Sequence, residues 1–167
     1  RIKRTAMIAS DVKFYLSGGT NNSDPKLSLG GAISNTVCGS GTNQLFDIVL
    51  PDEVLAGDIE YRCIWVKNTH VSEILYGARI FISEETTSPD TTVLLAYDSA
   101  GTQTIANENT PPIGLTFSTP LSYETGIELG DISANIKKMI WLKYIITAGV
   151  IKITDEGQLT VMGGVIA

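Results

Sequence analysis

Ile59, Tyr61, Cys63 and Trp65 alternate with Glu60, Arg62, Ile64 and Val66 between two turn signals, Gly57-Asp58 and Asn68-Thr69-His70. Side chains point to opposite faces at successive positions of a strand, so the odd set forms one apolar stripe. This pattern commits residues 59–66 to a strand, and its aromatic content makes it a central one. No segment of the chain sustains the i, i+3, i+4, i+7 spacing of an amphipathic helix over three turns. Strand candidates instead recur between Gly, Pro, Asn and Asp clusters. The chain therefore reads as all-β, an antiparallel β-sandwich of immunoglobulin-like or jelly-roll type with eight or nine short strands.

Candidate strands lie at Asp11–Leu16, Leu27–Ile33, Leu45–Leu50, Ile74–Ile82, Val93–Tyr97, Leu115–Phe117 and Lys138–Ile146. Thr102 to Ala106 is weakly strand-like. Pro51 stops the third of these strands, and Asp52 to Gly57 reads as one turn of helix or a tight corner. The short connection near Thr69–Ser72 predicts that its two flanking strands are antiparallel neighbours. Gly130-Asp131, between Leu129 and Ile132, reads as a corner. Lys138–Ile146 is apolar on both faces, which places it inside the sandwich or beneath another subunit. Val150–Thr154 and Gln158–Met162, around the turn at Asp155-Glu156-Gly157, read as a closing hairpin.

A chain of 167 residues suits one domain. The division is an N-terminal arm over 1–10 and a sandwich over 11–167. With 43% hydrophobic and 18% charged residues, the chain has a core to bury and little charge to spread. Its net charge of −6 disfavours nucleic acid and anionic membranes as partners of the body. Arg1, Lys3 and Arg4 run against that balance. They read either as a solvated terminus or as a basic arm that docks on an acidic partner surface, and they are the candidate partner-binding residues. No run approaches the ~20 apolar residues of a membrane span. The basic start is not followed by the continuous apolar stretch of a signal peptide.

The inventory for catalysis is thin. His70 is the single histidine, which excludes multi-histidine metal sites. Any Ser/His/Asp triad would have to use it, and no G-x-S-x-G elbow is present. Gly39-Ser40-Gly41-Thr42 and Ser17-Gly18-Gly19-Thr20 lack the lysine and following helix of a phosphate loop and read as turns. Asp52-Glu53, Glu84-Glu85 and Asp155-Glu156 fall in loops. They offer hard oxygen ligands for Ca²⁺ but no EF-type spacing. Cys38 and Cys63 are too few for a disulfide framework. A bridge between them would need an oxidising compartment, and Cys63 lies on the apolar stripe as a small core residue. Trp65, Trp141, Tyr61, Tyr76 and Tyr144 read as core, with a carbohydrate- or base-stacking platform as the alternative. No catalytic residue, cofactor or metal is expected.

The order of segments carries a resemblance. Phe14-Tyr15-Leu16-Ser17-Gly18-Gly19 leads to Asn22-Ser23-Asp24-Pro25 and Leu29-Gly30-Gly31-Ala32-Ile33-Ser34. Leu45-Phe46-Asp47 and the Gly57–His70 strand follow, then Ala106-Asn107-Glu108-Asn109-Thr110-Pro111, Gly114-Leu115-Thr116-Phe117 and Ile140-Trp141-Leu142. Over residues 12–146 this series resembles a group of β-rich virion structural proteins of tailed bacteriophages. The stretch from Val150 to Met162 departs from it. The resemblance implies a capsid decoration (cement) protein on the virion surface, assembled in the host cytoplasm. Its expected partners are the major capsid protein and itself, as a homodimer or homotrimer. A tail or baseplate protein is the alternative within the virion, and a carbohydrate-binding module the alternative outside it.

Overall fold

The computed structural model describes residues 7–39, 44–46, 50–149 and 155–165. They form seven strands: β1 (Val12–Leu16), β2 (Asp58–Asn68), β3 (Leu75–Glu84), β4 (Thr91–Asp98), β5 (Ile127–Ile132), β6 (Lys137–Ile146) and β7 (Gln158–Gly164). Two short 3-10 turns (Ala9–Asp11 and Pro25–Leu27) and one helix, α1 (Pro51–Ala56), interrupt them. One sheet has the order β1-β2-β6-β4 and the other β5-β3-β7, and every pairing is antiparallel. The fold is an all-β sandwich. The Arg1–Arg4 part of the expected arm lies outside the described residues.

The alternation along β2 sorts its side chains as the sequence requires. Ile64 and Val66 face the second sheet, where they meet Ile140, Leu142 and Leu95 of their own sheet. Ala78, Ile80 and Ile82 of β3 and Leu129 and Ile132 of β5 close that core from the other side. Tyr61, Cys63 and Trp65 point the opposite way and join Ala96, Met139 and Trp141 in a second apolar cluster. That outer face is covered by loops rather than by strands: Ile33, Ile105, Leu115 and Phe117 pack onto it. The molecule thus has three layers, and β6 is apolar on both faces because it is buried on both. Burial of each large side chain here contributes roughly 1.5–3 kcal/mol.

Backbone bonds fasten the loop layer. Cys63 N–H donates to Ser28 O at 2.7 Å, and Tyr61 N–H donates to Glu108 O at 2.7 Å. The Ser28 hydroxyl returns to Cys63 O at 2.7 Å, and the Trp65 indole donates to Gly31 O at 3.1 Å. Ser28 and Glu108 occupy the part of the β2 edge that β1 leaves unpaired. Residues 34–38 bond along the outer edge of β1, and Ser118 exchanges both backbone bonds with Leu95 at the outer edge of β4. Both edges of the four-stranded sheet are therefore at least partly covered.

Three expectations change. β2 and β3 are not neighbours; they belong to different sheets. Their link turns a corner between layers, and Asn68 holds it by donating from Nδ2 to Glu73 O and Ile132 O, both at 2.8 Å. Gly130 is part of strand β5 rather than a corner: its φ of 69° and the register shift beside Ala78 mark a bulge. Leu27–Ile33 and Leu115–Phe117 are covering loops with isolated bridges at Gly30 and Ser118. The expected partner strand Val150–Thr154 lies outside the described residues, and β7 pairs with β3.

Candidate functional site

His70 sits at the corner between the sheets and is buried. Its Nδ1 accepts the N–H groups of Ser72 (3.1 Å) and Glu73 (2.8 Å), which places the proton of the neutral ring on Nε2. Asn68 Oδ1 caps His70 N–H at 2.9 Å. These bonds give the histidine a structural task, closing a turn.

The carboxylate pairs separate. Asp52 and Glu53 lie in the first turn of α1, and Glu53 caps Leu50 N–H at 2.5 Å. Glu84 and Glu85 are exposed at the end of β3. Asp155 takes the densest set of bonds: the Ser88 N–H at 2.9 Å and the hydroxyls of Tyr144 (2.9 Å), Thr87 (3.1 Å) and Thr91. Burial acts to raise its carboxyl, but the bonds from Thr91, Ser88, Tyr144 and Thr87 outweigh it and hold the group below the ordinary carboxylate range. The same contact, after burial itself, pushes the Tyr144 hydroxyl up. This network ties the start of β7 to the β3–β4 connection. Beside it a cavity of about 20 Å³, between Ile82, Thr91 and Val93, has room for one water.

A cluster that sequence spacing does not reveal gathers at the start of β2. Ligand atoms of Glu53, Asp58 and Glu60 lie within 4.8 Å of one another. The fully buried Arg62 supplies the counter-charge, 3.5 Å from Glu60 and 2.5 Å from Glu108. Its Nε donates to Leu45 O at 3.2 Å, and its guanidinium lies 5.7 Å from the Phe46 ring centroid. Asp58 Oδ1 accepts from Ile59 N–H (2.7 Å) and Asn109 Nδ2 (3.0 Å). With Arg62 inside the group and Asp58 and Glu53 already bonded, the cluster reads as a structural ion network joining β2 to the loop layer. Alternation along β2 places Glu60 and Arg62 on one face, but the loop carrying Glu108 is legible only in three dimensions.

The aromatic residues are placed by the same layering. Tyr61, Trp65, Trp141 and Tyr144 are buried and Tyr76 is half-buried, so they form no open stacking platform. Cys38 and Cys63 are free thiols. Burial pushes Cys38 up to about 11 and likewise raises Cys63, which makes both poor nucleophiles. Arg1, Lys3 and Arg4 lie outside the described residues. No helix among the described residues is long and apolar enough to cross a membrane.

No family model matches the chain, and neither a curated protein nor a solved structure matches it.

Proposed function

We propose that the chain is a non-enzymatic structural protein that works by docking on a larger assembly, and that this assembly is a bacteriophage head, on which it acts as a decoration protein. The observation that carries the non-enzymatic part is the use made of the reactive groups. His70, Asp155 and the Glu53–Asp58–Glu60–Arg62 cluster are engaged in turn, strand and loop contacts. The virion part rests on the resemblance in segment order over residues 12–146. A sandwich whose four-stranded sheet has both edges partly covered suits a subunit that must bind in many copies without polymerising through those strands. Many identical weak contacts over a shell add up by avidity, so no single interface has to be large.

The test is to mix the purified chain with capsids lacking it, sediment them, and count and locate the bound copies by electron microscopy. Saturating binding at hundreds of regular sites on the shell is the expected result, the number following from shell symmetry. Binding confined to the tail would transfer the protein to the tail or baseplate. Absence of particle binding would overturn the virion reading.

A further inference from the structure

β1, β2 and β6 bring three lysines into one row. Lys13 stands directly opposite Lys67, and Lys67 directly opposite Lys137. Residues paired in this way share one face of the sheet, with Cβ atoms about 4.5–5.5 Å apart. The face is the one that carries Tyr15, Trp65 and Met139 in the next row. The loop layer covers that second row, where Trp65 bonds Gly31, and the lysine row lies beyond it. Lys137 leans over the Trp65 ring at 4.8 Å. None of the three lysines makes an ion pair or hydrogen bond with another described residue. Like charges placed directly opposite destabilise a sheet, and here two such pairs stand side by side without carboxylates between them.

The same end of the sandwich carries exposed aliphatic side chains. Ile8 is 62% exposed, Val71 83% and Ile136 48%. Backbone bonds place their turns side by side: Thr69 N–H donates to Asp11 O, and Asn68 N–H donates to Ile136 O. Arg1, Lys3 and Arg4 precede β1 in the chain and add to the basic character of its start.

We infer that this end of the molecule is a docking face, with the Lys13–Lys67–Lys137 row meeting a carboxylate-rich protein surface and Ile8, Val71 and Ile136 packing beside it. The inference rests on the reading of the chain as an assembly component and names its contact face. Charge complementarity selects the partner. A body of net charge −6 repels an extended polyanion such as DNA, whereas a compact acidic patch meets the lysine row, with Asp11 and Glu73 the carboxylates of the adjoining turns. The adjoining aliphatic groups suit a protein surface and have no counterpart on a phosphate backbone. Lysines act here as point charges, without the bidentate fork by which arginine reads phosphate.

The test is an NMR titration of the isotope-labelled full chain with a synthetic oligoglutamate peptide, alongside duplex DNA. Shifts centred on Lys13, Lys67, Lys137 and the neighbouring Ile8, Val71 and Ile136 are expected, weakening with added salt. In the triple variant K13Q/K67Q/K137Q, binding should weaken roughly tenfold or more. Its melting temperature at low salt should stay close to that of the unaltered chain, relief of the opposed charges offsetting the lost Lys137–Trp65 contact. Shifts centred elsewhere, or tighter binding of DNA, would overturn the inference. Capsid binding separates it from the functional proposal. If the unaltered chain binds capsids and the triple variant binds equally well, the face is wrong. If the titration succeeds and no capsid is bound, the virion reading alone fails.

Discussion

Arg62, fully buried in β2, meets the carboxylate of Glu108 at 2.5 Å across forty-six positions of sequence. The pair joins the central strand to the loop that carries Glu108, while Glu60 stands 3.5 Å from the same guanidinium nitrogen. Removing one member of a buried ionic group leaves the others uncompensated. Arg62→Met should therefore cost about 3–5 kcal/mol, since it strands Glu60. Glu108→Gln should cost less, about 1–2 kcal/mol, because Glu108 is partly solvated and Glu60 remains. Urea unfolding of both variants checks the order; equal losses would mean that Glu60 does not share the charge.

Gly30 holds the loop layer close to the sheet. Its φ is 97°, and a Cβ there would stand 2.2 Å from Gln103 O and 2.9 Å from Trp141 Cζ2. Gly30→Ala meets both strain and collision, so the expected loss exceeds about 1 kcal/mol. Gly114 also has a positive φ, 71°, but nothing stands within 4 Å of its Cβ position, and its alanine variant should lose less. Thermal melts of the two variants isolate the cost of close approach.

His70→Ala removes the acceptor for two backbone N–H groups at the corner between the sheets. Leaving such donors unsatisfied costs about 1–3 kcal/mol. Hydrogen exchange should show the loss first at Ser72 and Glu73. An unchanged exchange rate there would show that the corner is held by Asn68 alone.

The Asp155 network gives the fold an acid limit. Its folded carboxyl lies below the ordinary value of 3.8, so the group contributes stability above that value. The contribution falls away as pH drops through the lower, folded value. Asp155→Asn should lower stability by about 1–2 kcal/mol near neutrality, where charge-assisted bonds are lost. It should also flatten the decline in melting temperature below about pH 4, near the unfolded carboxyl value. A variant whose acid decline matches that of the unaltered chain would place the acid sensitivity elsewhere.

The sandwich is legible in the sequence because period-two alternation is a local signal. β2, β3, β4 and β6 follow from Ile59–Val66, Ile74–Ile82, Val93–Tyr97 and Lys138–Ile146 with only their ends adjusted. β5 is hidden by Gly130, whose bulge looks like a corner when read in one dimension. The change of sheet after β2 is hidden for another reason: a short link serves a hairpin and a layer corner equally, and Asn68 and His70 decide between them through contacts with Ile132, Ser72 and Glu73. The double burial of Lys138–Ile146 is visible as an all-apolar run, but the layer that covers it consists of loops with no periodicity. The lysine row is invisible for lack of register, since Lys13, Lys67 and Lys137 are neighbours only through two strand pairings.

The layered arrangement is most directly tested through the two tryptophans, Trp65 and Trp141, which sit under the loop layer and are 6% and 0% exposed. Iodide quenching of their fluorescence should be weak in the folded chain, should rise on unfolding in urea, and should not respond to added sugars. Trp65→Ala should cost about 3–5 kcal/mol, as for other buried tryptophans. Strong quenching in the folded chain, relieved by a glycan, would contradict the account: the loops would not cover the sheet, and its aromatic face would be a carbohydrate platform.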